Sequence, residues 1–169
     1  MPRTYTFVRA GAINTLKMEL TFNTIEKGQY GQVSEFIINM YSHHLKRYYT
    51  EKGDEDYRKF ASEKELEKRC KKGNKIFLVK EGQELVGLIE FDNKKLHQFF
   101  IVDDFRGRGY GRMAINWLKK YFKQQKLGSS LLVESSPNSY LAFEKMGFEP
   151  VSEETEVGEK VSKKMKLTV

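Results

Sequence analysis

The period of the hydrophobic positions changes repeatedly along the chain. Leu16, Met18, Leu20 and Phe22 alternate with polar neighbours, the period of a half-buried strand. From about Tyr30 to Tyr49 the step lengthens to three and four. Val33, Phe36, Ile37, Met40, Tyr41, His44, Leu45 and Tyr48 then fall on one face of an amphipathic helix. The polar, acidic run Tyr49–Tyr57 reads as a loop. Ser62-Glu63-Lys64-Glu65 has the form of a capping box, so a short helix to about Lys72 is expected, closed by Gly73. Lys75–Lys80 and Leu85–Phe91 read as two strands joined by Glu81-Gly82-Gln83-Glu84 in a hairpin. Later, Leu131–Glu134 predicts a strand and Pro137–Met146 a short helix stopped by Gly147. Phe148–Val151 and Val161–Val169 close the chain as an antiparallel hairpin.

The rest is organised around Leu96–Phe122. Phe99 to Val102 is a bulky, buried-strand pattern. Arg106-Gly107-Arg108-Gly109-Tyr110-Gly111 is a turn. Tyr110, Met113, Ala114, Trp117, Leu118, Tyr121 and Phe122 then form the stripe of a helix packed on a sheet, with Gly128 as its expected C-terminal cap. Glycines let the backbone reach positive φ and let a ligand approach its amides. A helix start leaves about four amides without intrahelical partners and carries partial positive charge, which suits a phosphate or pyrophosphate. Arg106, Arg108 and Arg112 add formal charge. The bland alternative is a tight connection with no ligand. Neither the Walker pattern nor Gly-x-Gly-x-x-Gly is present, since Gly107, Gly109 and Gly111 are spaced two apart.

Arg106–Gly111 matches Gln/Arg-x-x-Gly-x-Gly/Ala and resembles the acyl-CoA signature of the GNAT superfamily of N-acetyltransferases. Phe99-Phe100-Ile101 is similar to that family's strand beside the pantetheine. Ser135-Ser136-Pro137-Asn138-Ser139-Tyr140-Leu141-Ala142-Phe143-Glu144-Lys145-Met146-Gly147-Phe148 is similar to its second motif, with the typical final Gly-Phe. The resemblance implies an α/β (α+β) fold: a mixed, mostly antiparallel twisted sheet of about seven strands flanked by about four helices. It also implies acetyl-CoA as cosubstrate. Binding would involve Phe99, Phe100, Ile101, Arg106, Gly107, Arg108, Gly109, Tyr110, Gly111, Arg112, Asn138 and Phe143.

Composition narrows the picture. One folded domain fits 169 residues with 39% apolar content. In the family the first strand lies near the chain start, so residues 1–15 are expected to be an extension or leader and 16–169 the domain. The net charge of +7 attracts anions in general: nucleotides, CoA or nucleic acid. Cys70 is the lone cysteine, which excludes an internal disulfide and suits a reducing cytoplasm. No apolar run reaches the length of a membrane span. His43 and His44 are adjacent and point apart on a helix, so no metal pair is expected.

Acetyl transfer to an amine needs a base, because a lysine-like amine titrates near about 10.4. It also needs a donor for the oxyanion. The resemblance gives the donor role to a main-chain amide near Phe99–Ile101. His97 is the favoured base, expected on the face of Phe99 and Ile101, and the arylalkylamine N-acetyltransferases are similar in placing a histidine there. An imidazole of ordinary pKa about 6.5 suits that work. A structural histidine is the alternative. Glu90 is the second candidate base, against a salt-bridged carboxylate. The family's thiolate-protonating tyrosine is replaced by Phe143. Tyr140, one turn earlier, is the candidate substitute, against a core aromatic. Ser136 stands where the family often has an asparagine. Tyr48, Tyr49, Glu51, Asp54, Glu55, Asp56 and Tyr57 are expected to rim a site for a cationic amine, or to be a solvated loop.

The expected activity is transfer of acetyl from acetyl-CoA to a primary amine of a small molecule or protein, by direct attack in a ternary complex. An acyl-CoA-binding module with little catalysis is the alternative. Nucleic-acid binding ranks last, because Arg-Gly-Arg-Gly lies between a strand and a helix. Monomer and homodimer stay open.

Overall fold

A computed structural model of the chain describes residues 3–8, 19–152, 155–157 and 160–169. The expected strand over 16–22 lies partly outside them, and its described part begins β2 (Glu19–Thr24). An edge strand, β1 (Thr4–Val8), comes from the span expected to precede the domain. It pairs antiparallel with β2, and Tyr5 and Phe7 turn onto the main core.

The first helix, α1, is Tyr30–His44, followed by one 3-10 turn at Lys46–Tyr48. The run read as a loop is instead helix α2 (Glu51–Phe60). Three local features explain it. The Thr50 hydroxyl accepts from the Gly53 amide at 3.1 Å, acidic Glu51 and Asp54 sit in the first turn, and Arg58 and Lys59 sit in the last. Lys52–Asp56 and Arg58–Asp54 pair at i,i+4. Helix α3 (Glu63–Lys71) begins after Ser62 as expected, although the Ser62 hydroxyl donates back to the Lys59 carbonyl rather than capping.

Strands β3 (Lys75–Glu81) and β4 (Glu84–Phe91) form the expected hairpin, with Gly82 at φ +58°. Next come β5 (Lys95–Ile101), a 3-10 turn at Asp103–Phe105 and helix α4 (Tyr110–Gln125). The left-handed residue ending α4 is Lys126, at φ 52°, two places before the glycine expected to do so. β6 (Ser130–Ser135), α5 (Tyr140–Lys145), β7 (Phe148–Pro150), β8 (Thr155–Val157) and β9 (Lys160–Thr168) complete the chain.

The sheet runs β1-β2-β3-β4-β5-β6-β9-β7, with β8 paired to β9. Every pairing is antiparallel except β5–β6, so the mixed, mostly antiparallel sheet is as expected. The closing hairpin is present as β7 and β8 against β9. One sheet face packs Phe22, Phe77 and Phe91 under the α4 stripe, where Phe22 and Trp117 stack at 3.9 Å. The other buries Ile76, Leu88 and Phe100 against Val33, Ile37 and Leu66.

Two details of β5 create the site. Glu90 pairs with Gln98 but Phe91 with Leu96, so His97 is an extra residue in a β-bulge. A bulge bends its strand and increases the local twist. Beyond it β5 parts from β6: the two pair only at Lys95↔Leu132 and Leu96↔Val133. The bulge also breaks the alternation. Phe99 and Ile101 face the α4 side, whereas His97 lies 6.3 Å from the Phe60 ring of α2. His97 therefore does not share the face of Phe99 and Ile101, as an unbroken strand would require. On the opposite edge, β5 approaches β4 closely. A Cβ on Gly87 would sit 2.2 Å from the Phe100 carbonyl oxygen.

Candidate active site

Where β5 and β6 separate, a cavity of about 320 Å³ opens between them. Its walls are the β5 segment Leu96–Ile101, the β6 end Val133–Ser136, and the start of α5. One end reaches the glycine turn; the other is closed by Tyr49, which forms a lone β-bridge with Lys160 of β9.

At the turn end, Gly107 (φ +73°) and Gly109 (φ +89°) both occupy the left-handed region, and Gly109 caps α4. Among the described residues no main-chain acceptor meets the amides from Gly107 to Arg112; Met113, bonded to the Gly109 carbonyl at 3.0 Å, is the first satisfied. Gly111 lets α4 pass close to Met146 and Phe99, whose atoms would lie 3.3 and 3.8 Å from an added Cβ. Tyr110 anchors the turn from below: it is buried, packs edge-on to Phe105 and donates to Glu81. Burial and that carboxylate push its phenol up to about 12.

The arginines differ in posture. Arg108 is exposed at the tip. Arg112 donates to the Lys145 carbonyl at 3.1 Å, joining α4 to α5. Arg106 donates from Nε to the Ile101 carbonyl at 3.0 Å and pairs with Asp103. Its guanidinium is 3.5 Å from His44 Nδ1, and the other ring nitrogen of His44 is 3.0 Å from Asp103. Burial and Arg106 push the His44 imidazole below its ordinary value despite Asp103. Asn138, in the 3-10 turn Pro137–Ser139 that leads into α5, donates to the His44 carbonyl at 3.2 Å and ties that turn to the end of α1.

His97 lines the cleft with its Nε2 2.9 Å from Asp92 Oδ2. The other Asp92 oxygen accepts from the Lys94 and Lys95 amides, each at 2.7 Å. Burial alone would raise the Asp92 pKa, but His97 and those two amides outweigh it and hold the carboxyl below its ordinary value. An ionised Asp92 fixes the proton on Nε2 and leaves the Nδ1 lone pair available.

The remaining candidates have other surroundings. Glu90 is fully buried away from the cleft lining, held by Arg69 Nε at 2.7 Å, Arg69 Nη2 at 3.0 Å and Asn74 at 2.9 Å. Tyr140 lies outside the lining, its ring under the Lys163 ammonium at 4.7 Å. Phe143 does line the cleft, packed on Phe99 at 5.9 Å and Phe148 at 4.9 Å. Of the expected acidic rim only Tyr49 reaches the cavity. Helix formation sends Glu51, Glu55 and Asp56 to solvent, and stacks Tyr57 on Tyr41 at 3.9 Å.

The model of the "Acetyltransferase (GNAT) domain" family matches residues 45–169. The chain belongs to the GNAT acetyltransferase family. Solved structures agree in fold. A GCN5-related N-acetyltransferase from Rhodopseudomonas palustris superposes with a TM-score of 0.72 at 15% identity, covering 94% of this chain and 100% of that one. The PaiA N-acetyltransferase of Thermoplasma acidophilum, in complex with coenzyme A, gives 0.67 at 16% identity over 90% and 100%. A spermidine N-acetyltransferase of Vibrio cholerae, in complex with CoA and spermine, gives 0.59 at 21% over 88% and 95%. No curated protein matches the sequence.

This GNAT domain carries site residues that sequence patterning did not single out. Gln98, Glu134 and Lys160 line the cleft, and Asp92 orients His97. Glu134 accepts from Lys95 at 2.7 Å and from Lys160. Burial opposes its charge, yet the two ammonium groups hold it at about 2. Burial and then Glu134 push the Tyr49 phenol up to about 12. Asp92 lies in the short connection between β4 and β5, where the sequence pattern marks no partner for His97.

Proposed function

We propose that the protein transfers the acetyl group of acetyl-CoA to a primary amine by direct attack within a ternary complex. The observation that carries this reading is the continuity of the cleft. A strand edge freed by the β5–β6 separation leads straight to the acceptor-free amides of Gly107–Arg112. The residues fit the cosubstrate. A diphosphate suits amides at a helix start flanked by Arg106, Arg108 and Arg112, and a pantetheine suits the open edge of Phe99–Ile101. Asn138 and Phe143 complete the wall.

In this reading His97 takes the amine proton at Nδ1, with Asp92 holding the tautomer. The amine nitrogen then attacks the thioester carbonyl, and the oxyanion accepts from a β5 amide. One well-placed donor of that kind lowers the barrier by about 3 kcal/mol. As the C–N bond forms, the C–S bond breaks, the electron pair leaves on sulfur, and the second proton of the former ammonium passes from nitrogen to solvent or to the departing thiolate. Tyr140, packed under Lys163 outside the cleft lining, is a core aromatic in this reading rather than the acid. A thiol of ordinary pKa about 8.5 departs as thiolate without it. Glu90 belongs to Arg69 and the fold. Cys70 lines no part of this cleft, so no acetyl-enzyme is invoked.

Titration calorimetry with acetyl-CoA, followed by amine-dependent thiol release, tests the proposal. Binding with turnover supports it. Binding without turnover by any amine favours a CoA-binding module, and no heat at all overturns both.

A further inference from the structure

The acceptor end of the cleft is not built for a bare polycation. Glu134 is the one carboxylate in its described lining, and both of its oxygens are engaged, one by Lys95 and one by Lys160. Lys95 lies outside the lining and offsets the Glu134 charge from behind; Lys160 is in the lining and adds a second positive charge. The group therefore presents one net positive charge, two ammonium ions against one carboxylate. Gln98, which lines the same cleft, is 3% exposed, and its Oε1 accepts from the Tyr57 hydroxyl at 2.7 Å. Its Nε2 is buried with no partner among the described residues. A buried amide that lacks an acceptor is costly unless a ligand supplies one. The carboxylates of the expected rim face solvent on α2 or are bonded elsewhere, as Asp54 is to Arg58 and Lys46.

We infer that the acceptor is an amine carrying its own anionic group, which the Lys160 ammonium and the Gln98 amide receive while its amino group faces His97. The inference rests on the acetyltransferase reading above. A carboxylate or phosphate oxygen offers only acceptors, matching the Gln98 amide that no described residue satisfies and the positive charge that Lys160 and Lys95 leave over after pairing with Glu134. A linear polyamine offers only donors and positive charge, and meets like charge at Lys160.

Matched amine pairs test this: lysine against cadaverine, tyrosine against tyramine, and O-phosphoethanolamine against ethanolamine, with acetyl-CoA and thiol release as readout. The anionic member of at least one pair should be used with kcat/KM about tenfold higher or more, the size of effect expected from a hydrogen bond to a charged group. Which pair shows it distinguishes carboxylate from phosphate. In Lys160→Met the preference should collapse towards unity while the calorimetric heat with acetyl-CoA persists; Lys160→Arg should keep it. Equal or faster use of cadaverine, tyramine and ethanolamine overturns the inference and leaves the transferase reading intact. So does a preference unmoved by Lys160→Met. Acetyl-CoA binding with no turnover of any pair overturns it as well. Absence of acetyl-CoA binding sinks both readings together.

Discussion

His97 and Glu90 lie on neighbouring strands yet have opposite surroundings. His97 meets one carboxylate, at one ring nitrogen, in the wall of a cleft. Glu90 meets a guanidinium through both oxygens, with no exposure at all. The first arrangement can exchange a proton with a ligand; the second holds α3 to the sheet. His97→Gln should therefore lower kcat by about 10²- to 10⁴-fold, the usual worth of a positioned base. Its acetyl-CoA heat should stay near wild type, and a parallel loss of binding would argue against the assignment. Glu90→Ala should act on the fold instead, because it leaves the half-buried Arg69 without its carboxylate and with only the Phe60 carbonyl to receive it. Breaking a fully buried pair costs about 3–5 kcal/mol, and the partial exposure of Arg69 places this loss below that range. Chemical denaturation should show that loss, while kcat per folded molecule, measured with titrated active sites, stays within a few-fold. Sequence made both residues visible as titratable groups near a motif. It ranked His97 first but could not name what holds Glu90, because Arg69 is 21 positions away and only the fold brings the two together.

At the level of elements, the turn between β5 and α4 is where pattern and structure agree most closely. Its chemistry is local: glycine permissiveness, helix-start amides and nearby arginines are all encoded within a few consecutive residues. Gly109 at φ +89° is the sharpest point of that encoding. Gly109→Val forces a β-branched side chain into a left-handed conformation and crowds the amides beside it. Calorimetry should then detect no acetyl-CoA binding, with the circular dichroism of the folded chain retained; a variant that binds normally would remove the turn from the site. Besides β1, helix α2 and the bulge were not legible, for contrasting reasons. Helix α2 hides behind a polar composition, because its stability comes from a Thr50 cap, i,i+4 charge pairs and one ring stacked on Tyr41 rather than from an apolar stripe. The bulge at His97 changes no residue type at all, yet it reverses which face the residue takes and opens the cleft. A period-2 reading has no term for an extra residue in one strand.

For the molecule as a whole, charged side chains link three strands at the closed end of the cleft, beside the backbone ladders that pair them. Glu134 of β6 joins Lys95 of β5 and Lys160 of β9, and Tyr49 bridges to the same Lys160. These contacts cross from residue 49 to residue 160, so no local pattern announces them. They do make the fold sensitive to acid in a defined window. Burial penalises the Glu134 charge, but Lys160 and Lys95 hold its folded pKa at about 2 against an ordinary 4.5. A depressed carboxylate stabilises the native state above its unfolded pKa, and that contribution fades as pH falls towards the folded value. Glu134 keeps 29% of its side-chain surface, so solvent and salt screen the pair and the effect is modest. Thermal melts of wild type and Glu134→Gln should therefore differ most above about pH 4.5 at low salt, with wild type the more stable. The two should converge as pH drops to about 2, and added salt should narrow the gap at neutral pH. Curves that stay parallel through that window would mean the three-strand clamp is held by packing, and that Lys160 owes its place in the cleft to something other than Glu134.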